Sequence, residues 1–462
     1  MKRIERDSVG EMEIRPDVYY GVQSLRAQQN FPISGQLLRP EQIVALAEIK
    51  LASARTNQAV GELSEKRAQA IEQACQEIID GQWHEAFITD PIQGGAGTSA
   101  NMNANEVIAN RAGEILGAAL GSYSEVHPND HVNLGQSTND VYPTSGKLAA
   151  LKLIAKMLPK LKALHSAVME KAEDFDDIVK VGRTQLQDAV PIRLGQEFHA
   201  YGSAIARGIQ RIEHAQKSLY TVNMGATAIG TGITASADYI RQVVPTLAEV
   251  SGLPLVQADD LVDGTQHIDV FVEISGALKQ CAIILSKFSN DLRLMSSGPR
   301  AGLGEINLPP KQNGSSIMPG KINPVIPEVV SQVCYAICGN DVTVAMAAEA
   351  GQLELNAFEP VLFFKLFESI EMLGQAAETL NVNCIRDLTA DRERCQELLD
   401  YSLATITALA PIIGYADTAK IAKTAMQKGE TIAEVMAQEV DIQDVDLEEV
   451  MDAKVLTDPF HE

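Results

Sequence analysis

Three stretches of the chain place apolar residues at alternating steps of three and four, the seam of helices that pack nearly parallel. The seams are Leu151, Ile154, Leu158, Leu161 and Val168, with a gap at His165; Phe271, Ile274, Leu278, Cys281, Leu285, Phe288 and Leu292; and Phe363, Leu366, Ile370, Leu373, Ala377 and Leu380. A helix over residues 268–295 would be about 40 Å long. The pattern therefore predicts an extended bundle of long helices.

The flanking segments 193–220 and 324–350 also have a helical pattern. Pro159 interrupts the first seam, so we expect a kink or a break there. Alternating strands rich in Val and Ile are scarce, and no GxGxxG motif follows a strand, which gives no indication of a nucleotide cofactor. We predict a mainly α fold in which β structure is limited to short hairpins.

Two changes of composition divide the sequence. A polar stretch rich in Gly and Asn covers residues 121–145, and the seam pattern ends near 385–393. The predicted organisation is therefore an N-terminal, mainly helical domain (1–138), a central long-helix domain (139–392) and a small C-terminal helical domain (393–462).

The charge balance is acidic: 38 basic and 61 acidic residues give a net charge of -23 over 462 residues. Such a surface disfavours nucleic acid and anionic membranes as partners. The start, MKRIERDSVGEMEI, has no apolar core of a secretory signal, and no stretch approaches the roughly 18 apolar residues of a spanning helix. Six cysteines in so long a chain do not make a disulfide framework, so we expect free thiols and a cytoplasmic protein.

Four segments are rich in Ser, Thr, Asn and Gly and poor in charge. They are Gly94–Ser99 followed by Asn101, Asn103 and Asn105; Gln136–Asp140; Gly182–Asp188; and Gly314–Pro324. Any one of them alone is better explained as a capped helix start. Four such segments leading into long helices indicate instead a site for a small anion, because neutral donors and helix N-termini stabilise carboxylate oxygens.

The fourth segment, GSSIMPGKINP, has three Gly or Pro pivots beyond its first residue, which favour a mobile loop. Lys321 is its only charge, and the backbone N–H groups from Gly314 to Ile317 could surround an oxyanion. A serine stabilised as an alkoxide by such dipoles and a lysine could act as a base.

Metal and hydrolase chemistry have weaker support. His127 and His131 have a spacing of four residues, but Pro128 and Asn129 favour a turn, and the sequence places no third ligand nearby. No GxSxG elbow is present for a Ser–His–Asp hydrolase. We predict no metal ligands.

GSSIMPGKINP resembles the signature loop of the fumarase/aspartase superfamily, and the other three segments resemble its further active-site segments, in the same order. The resemblance covers nearly the whole chain from DSVGEMEIRPDVYYGVQSLRAQQNF. It implies a three-domain, mainly helical fold in which the long central helices of four subunits form one bundle. It also implies a homotetramer whose active sites combine segments of three subunits, acting on a small dicarboxylate to release fumarate.

Within the superfamily, QGGAGTSANMNANE and AEAGQLELNAFEP are similar to the aspartate ammonia-lyase branch. Fumarases tend to have GSGTQSNMN, GNFELN and a lysine at the position of Glu359. Fumarases and some aspartases also have histidine where this chain has Gln185. Hydroxide needs a general acid to leave, and glutamine cannot supply one, whereas ammonia leaves as a neutral molecule. The substitution favours an ammonia-lyase over a hydratase.

The resemblance also implies residue roles. Ser315 matches the base that takes a proton from C3 of aspartate, leaving an aci-carboxylate intermediate. Lys321 and Asn323 match positions that hold the α-carboxylate, Asn139 a position near the amino group, and Gln185 a contact with either. Thr98, Ser137, Thr138, Thr184 and Ser316 match positions around the β-carboxylate.

Three alternatives stay open at this point: a fumarate hydratase, a lyase for a related amino-dicarboxylate, and a non-catalytic protein on the same scaffold. The implied chemistry requires no cofactor. Activation by a divalent cation is left undecided by the sequence.

Overall fold

The computed structural model describes residues 3–439 and 452–458, and its secondary structure is mainly helical. The helices are α1 Val22–Asn30, α2 Pro40–Ala59, α3 Glu65–Ile79, α4 Thr98–Ile115, α5 Thr138–Asp174, α6 Leu194–Ala215, α7 Ala237–Ser251, α8 Asp263–Gln266, α9 Asp269–Met295, α10 Val325–Glu349, α11 Glu359–Leu380, α12 Arg392–Tyr401, α13 Ala410–Ile413, α14 Tyr415–Lys428, α15 Ile432–Glu439 and α16 Ala453–Thr457. The predicted mainly α fold is confirmed.

Short irregular helices connect some of these elements. His84–Ala86, Gln216–Tyr220 and Ala404–Leu409 are 3₁₀ helices, and Pro128–Val132 and Asn381–Ile385 are π turns. The predicted helix over 193–220 thus ends as a 3₁₀ turn, and the predicted histidine turn is π-helical.

The β structure consists of two-stranded sheets. The strands are β1 Arg3–Arg6, β2 Glu11–Ile14, β3 Val179–Thr184, β4 Gln187–Arg193, β5 Thr221–Val222, β6 Val256–Gln257, β7 Ile306–Asn307 and β8 Thr389–Ala390. The pairs β1–β2, β3–β4 and β7–β8 are antiparallel, while β5–β6 is parallel. The prediction of short hairpins holds for the first two pairs.

The three apolar seams lie in α5, α9 and α11, and every seam position is buried, whereas His165 at the gap is only half-buried. Of the kink or break expected at Pro159, the break is wrong, because α5 continues through this residue, and a kink stays a prediction. Proline removes one hydrogen bond to the carbonyl four residues earlier. Both Pro159 and Ala155 are exposed, so solvent can satisfy that carbonyl.

The chain forms two compact units, each assembled from three segments. Unit 1 contains the chain up to Leu158, Gln210–Gln280 and Tyr335–Leu373; unit 2 contains Pro159–Ile209, Cys281–Cys334 and the described residues from Gly374 onward. The helices α5, α6, α9, α10 and α11 therefore contribute to both. The division into three consecutive domains stays a prediction.

In unit 1, α2 packs against α3 and α7, and α3 packs against α4. Apolar side chains such as Ile43, Leu46, Ile71 and Val107 are completely or almost completely buried there. This core holds the N-terminus of α4 in place. In unit 2, a separate cluster of Ile406, Leu409, Ile421, Ala425, Ile432, Val435 and Met436 forms the core of the C-terminal helices.

The six cysteines all lie in the described residues, form no disulfide there, and are buried except for the half-buried Cys338. The helix α10 alone is long and apolar enough, by length and composition, to qualify as a candidate membrane span among the described residues. It is not a run of about 18 apolar residues, since Glu328, Asn340 and Asp341 interrupt it. Asp341 on α10 accepts a hydrogen bond from Ser275 at 2.8 Å and pairs with Lys279, as in a helix that packs within protein.

Candidate active site

The predicted site residues fall into two groups, one in each unit. Unit 1 holds four of them, at the N-termini of α4 and α5. Unit 2 holds the other six, on the β3–β4 hairpin and on the loop that precedes α10. The unit 1 residues are Thr98, Ser137, Thr138 and Asn139; the unit 2 residues are Thr184, Gln185, Ser315, Ser316, Lys321 and Asn323.

Thr98 opens α4 after a glycine-rich turn. Gly97 has φ +86°, and a Cβ there would lie 2.3 Å from the Tyr142 ring, so the turn requires glycine. The Thr98 hydroxyl donates to the Gly95 carbonyl at 2.7 Å. Thr98 and Ser99 also line a cleft of about 550 Å³ in unit 1.

The start of α5 is a capping box. The Ser137 hydroxyl accepts the N–H of Asn139 at 3.2 Å, and Asp140 accepts the N–H of Ser137 at 2.9 Å. The second Asp140 oxygen accepts the N–H groups of Gly225 at 3.2 Å and Thr227 at 3.0 Å. These bonds fix Ser137–Asn139 where the partial positive charge of the helix N-terminus is greatest.

The N-termini of α4 and α5 converge, as the anion-site interpretation requires. Asn101, one turn into α4, donates from Nδ2 to the Thr138 hydroxyl oxygen at 3.0 Å. The Nδ2 of Asn139 donates to the Ala228 carbonyl at 2.7 Å, which leaves its amide oxygen as the atom suited to a substrate ammonium group. The geometry provides hydroxyls for a carboxylate and an acceptor for an amine.

Buried polar residues support this turn, and one of them, Lys50, was not predicted from the sequence. Lys50 on α2 is fully buried, and its Nζ donates to Asn133 Oδ1 and Gln136 Oε1, both at 2.8 Å. Burial lowers the pKa of Lys50 to about 7, against the opposing charge of Asp140. Burial raises the pKa of Asp140 to about 6, opposed by its backbone hydrogen bonds and by Lys50. The signal available in the sequence was a lone lysine inside the apolar stretch AEIKLASA.

Thr184 and Gln185 lie on the β3–β4 hairpin rather than at a helix N-terminus. Gln185 and Leu186 form its two-residue turn with φ of 55° and 64°, the left-handed conformation of a type I′ turn. Thr184 and Gln185 are exposed in the chain. The hairpin thus presents both side chains at its tip.

A buried carboxylate anchors this hairpin. Glu305 is fully buried and forms ion pairs with Arg183 at 2.8 Å and with Lys180 at 3.2 Å. Lys180 also pairs with Glu197 of α6 at 2.9 Å. Because Arg183 directly precedes Thr184, these ion pairs restrain the tip of the hairpin. Glu305 gave no recognisable signal in the sequence.

The loop from Gly314 to Asn323 is closed at its base. The Gly314 N–H donates to the Lys321 carbonyl at 2.8 Å, and Asn323 Nδ2 donates to the Gly314 carbonyl at 2.8 Å. A Cβ on Gly314 would lie 2.2 Å from that Lys321 oxygen, so only glycine fits. Lys321 Nζ donates to Asn323 Oδ1 at 2.7 Å, which brings these two predicted carboxylate ligands together.

The tip of the loop surrounds Ser315 with amide donors. The Ser315 oxygen accepts the N–H groups of Ile317 and Met318, both at 3.2 Å. The predicted donor set is therefore partly wrong: the Gly314 N–H is used inside the loop, and Met318 takes its place. Donors aimed at a hydroxyl oxygen favour its deprotonated form. Mobility of this loop stays a prediction.

His127 and His131 are held by their own turn. The Nδ1 of His131 accepts the His127 N–H at 2.8 Å, and the Nδ1 of His127 accepts the Asp130 N–H at 3.3 Å. Both rings thus use one nitrogen within the π turn, in agreement with a structural role.

Comparison with known proteins shows which family has these features. A family model described as "Lyase" matches residues 10–339, and one described as "Fumarase C C-terminus" matches residues 406–458. An aspartate ammonia-lyase of Bacillus subtilis (strain 168) is 50% identical over 457 residues, 99% of this chain and 96% of that protein. An aspartate ammonia-lyase of Helicobacter pylori is 50% identical over 435 residues, 94% of this chain and 93% of its own.

Solved structures of related proteins are also similar to this chain over nearly its whole length. The cobalt-bound "fumarate lyase:delta crystallin" of Brucella melitensis has a TM-score of 0.96 and 48% identity, covering 99% of this chain and all of that chain. A recombinant class II fumarase of Schistosoma mansoni has a TM-score of 0.95 and 34% identity, covering all of both chains.

Proposed function

The chain belongs to the lyase family that includes the aspartate ammonia-lyases and is a carbon–nitrogen lyase, and we propose that it eliminates ammonia from L-aspartate to give fumarate. The observation that carries the proposal is the convergence of the α4 and α5 N-termini at Thr98 and Ser137–Asn139. Within this group, Ser137 and Thr138 offer hydroxyl donors for a carboxylate, and Asn139 offers an acceptor for an ammonium group.

In the proposed reaction, Ser315 takes the proton from C3 of aspartate. The electrons of the C3–H bond move into the β-carboxylate and form an aci-carboxylate with two negative charges. They then return to form the C2–C3 double bond as the C2–N bond breaks and ammonia leaves with the bonding pair. The amide donors around the Ser315 oxygen support its role as the base.

The remaining residues bind the two ends of the substrate. Thr98, Ser137, Thr138, Thr184 and Ser316 are assigned to the β-carboxylate, where fixed donors stabilise the dianion. Lys321 and Asn323 are assigned to the α-carboxylate, since their mutual hydrogen bond places a cation beside an amide. Asn139 is assigned to the amino group, and Gln185 to the amino group or α-carboxylate. This chemistry requires no cofactor and no metal.

A cytoplasmic homotetramer would supply both groups to one site, with segments drawn from three chains. Several apolar side chains on α10 are exposed in the single chain, among them Tyr335 (61%), Val342 (58%) and Met346 (67%). A helix that is apolar on an outward face is favoured as a protein interface. This surface supports assembly through α10.

The decisive experiment follows the ultraviolet absorbance of fumarate with L-aspartate and L-malate in parallel. We expect absorbance to rise with aspartate and to stay flat with malate, because Gln185 cannot protonate a leaving hydroxide. A rise with malate alone would make the enzyme a fumarate hydratase. A rise with neither, but with another amino-dicarboxylate, would reassign the substrate.

A further inference from the structure

Lys50 is a fully buried lysine with no part in the elimination just described. It lies on α2 in unit 1, and its Nζ contacts Asn133 and Gln136, which immediately precede the start of α5. Burying an ammonium group is costly unless hydrogen bonds to acceptors compensate for the lost hydration. The donors and acceptors around Lys50 indicate which side chains it orients.

In its charged form Lys50 donates hydrogen bonds and cannot accept them, so Asn133 must turn its amide oxygen towards it. The same Oδ1 accepts a hydrogen bond from Nδ2 of Asn101 at 3.2 Å. The second hydrogen of that Nδ2 is donated to the hydroxyl oxygen of Thr138 at 3.0 Å. Asn133 Oδ1 also accepts a hydrogen bond from Nδ2 of Asn105 at 3.2 Å. Lys50 is thus the charged donor among three donors that hold this amide oxygen towards Asn101.

The last link decides how the Thr138 hydroxyl is used. Because its oxygen accepts from Asn101, its own hydrogen is directed away from Asn101 and can be donated. If Asn101 were reversed, its amide oxygen would face the oxygen of Asn133 and would take the hydrogen of Thr138 for itself. Repulsion between the two amide oxygens disfavours that arrangement.

We propose that Lys50 is a positioning residue that, through Asn133 and Asn101, makes Thr138 a hydrogen-bond donor to the substrate β-carboxylate. This inference rests on the proposed function for the identity of the carboxylate. Lys50 lies on a helix that carries none of the assigned substrate contacts.

The neighbouring polar groups are compatible with only this orientation. Gln136 also turns its amide oxygen to Lys50, and its Nε2 donates to the carbonyls of Val132 at 3.0 Å and Leu134 at 3.2 Å. Nδ2 of Asn133 donates to the Gln136 carbonyl at 3.2 Å. Reversing either amide would place two donors or two acceptors against each other.

The test is a double-mutant cycle on the full-length enzyme with Lys50→Met and Thr138→Ala. We expect Lys50→Met alone to lower kcat/KM for L-aspartate by about tenfold or more, the effect of a lost hydrogen bond to a charged group. In the Thr138→Ala background the same change should cost less than about threefold, because the hydroxyl that Lys50 orients is already gone. Thr138→Ser, which keeps the hydroxyl, should restore the coupling.

The matched control is Lys147→Met, which removes another buried lysine of unit 1. Lys147 Nζ donates to the Thr221 carbonyl at 2.6 Å. Its substitution should cost the same factor with Thr138 or Ala at position 138. Equal losses for Lys50→Met in both backgrounds would overturn the proposal and make Lys50 merely structural.

Two further measurements separate this inference from the proposed function. Asn101→Ala breaks the chain at its next link, so it must show the same coupling if Lys50→Met does not fold. If the wild type does not act on aspartate, the proposed function fails, and the cycle is measured as calorimetric binding of fumarate. A wild type that neither acts on aspartate nor binds fumarate overturns both.

Discussion

At the scale of single residues, the backbone around Ser315 supplies the hydrogen-bond donors to its hydroxyl oxygen. Its oxygen accepts two amide hydrogens from the same loop, while the loop base is closed by bonds between Gly314, Lys321 and Asn323. In the proposed mechanism, one short segment therefore provides both the base and the amide donors around its oxygen. That mechanism does not require a histidine to activate the serine.

Ser315→Ala should lower kcat for aspartate by about 100-fold or more, because a positioned base contributes that much to proton abstraction. The fold should stay intact, since the Ser315 hydroxyl bonds only within its own exposed loop. Steady-state kinetics with circular dichroism would measure both. Ser316→Ala is the neighbouring control, with a smaller loss of kcat expected because other donors to the β-carboxylate remain. Near-normal turnover by Ser315→Ala would remove serine from the mechanism.

At the scale of elements, a buried carboxylate at the start of α11 faces α5. Glu359 is buried with Lys147 as its charged neighbour, and burial raises the pKa of Glu359 to about 8. Burial lowers the pKa of Lys147, also to about 8. Since the pKa of Glu359 differs between the folded and unfolded chain, the stability of the fold should depend on pH.

The folded protein holds a proton on Glu359 between pH 4.5 and about 8 that the unfolded chain has lost. Its contribution to stability is therefore lost as the pH rises through this window. Between pH 5.5 and 7.5, the wild type should lose about 2 kcal/mol of unfolding free energy relative to Glu359→Gln, which does not titrate. Urea unfolding at both pH values and fixed protein concentration measures the difference. The exposed Glu354→Gln should behave as the wild type does; a parallel pH dependence in Glu359→Gln would contradict the assignment.

The sequence predicted the long helices because apolar periodicity is a local property, and each seam position is indeed buried. The break that it allowed at Pro159 does not occur, since solvent can satisfy the freed carbonyl, and Thr184 and Gln185 lie on a hairpin rather than at the start of a helix. Lys50 and Glu305 were missed for another reason. Their partners are far away along the chain, so no local pattern marks them. The candidate site residues were predicted from the family resemblance. Their division into one group in each unit could be seen only in the structure.

At the scale of the whole molecule, the apolar face of α10 connects assembly to activity. Met346 lies on this face, and its exposure in the single chain would be removed by the proposed tetramer. A net charge of -23 would oppose both association and dianion binding at long range. Association must therefore depend on apolar area, and substrate binding on local cations and dipoles.

Met346→Glu should shift the protein from a tetramer to smaller species and lower its activity, because a carboxylate would be buried at the interface. Light scattering under assay conditions, with turnover measured on the same sample, would show both effects. Met426→Glu on α14 is the matched control, since Met426 is equally exposed but lies outside the proposed interface. A fully active tetramer of Met346→Glu, or a fully active wild-type monomer, would contradict shared sites.

The division of the chain into two interleaved units limits how the protein can be dissected. Every boundary between them falls inside a helix: at 158/159 in α5, 209/210 in α6, 280/281 in α9, 334/335 in α10 and 373/374 in α11. Severing the chain at any of these points would cut a hydrogen-bonded helix, and in α5, α9 and α11 it would leave apolar seam residues exposed on both pieces. We therefore expect neither unit to fold as an autonomous fragment, and chimaeras with relatives should exchange whole helices.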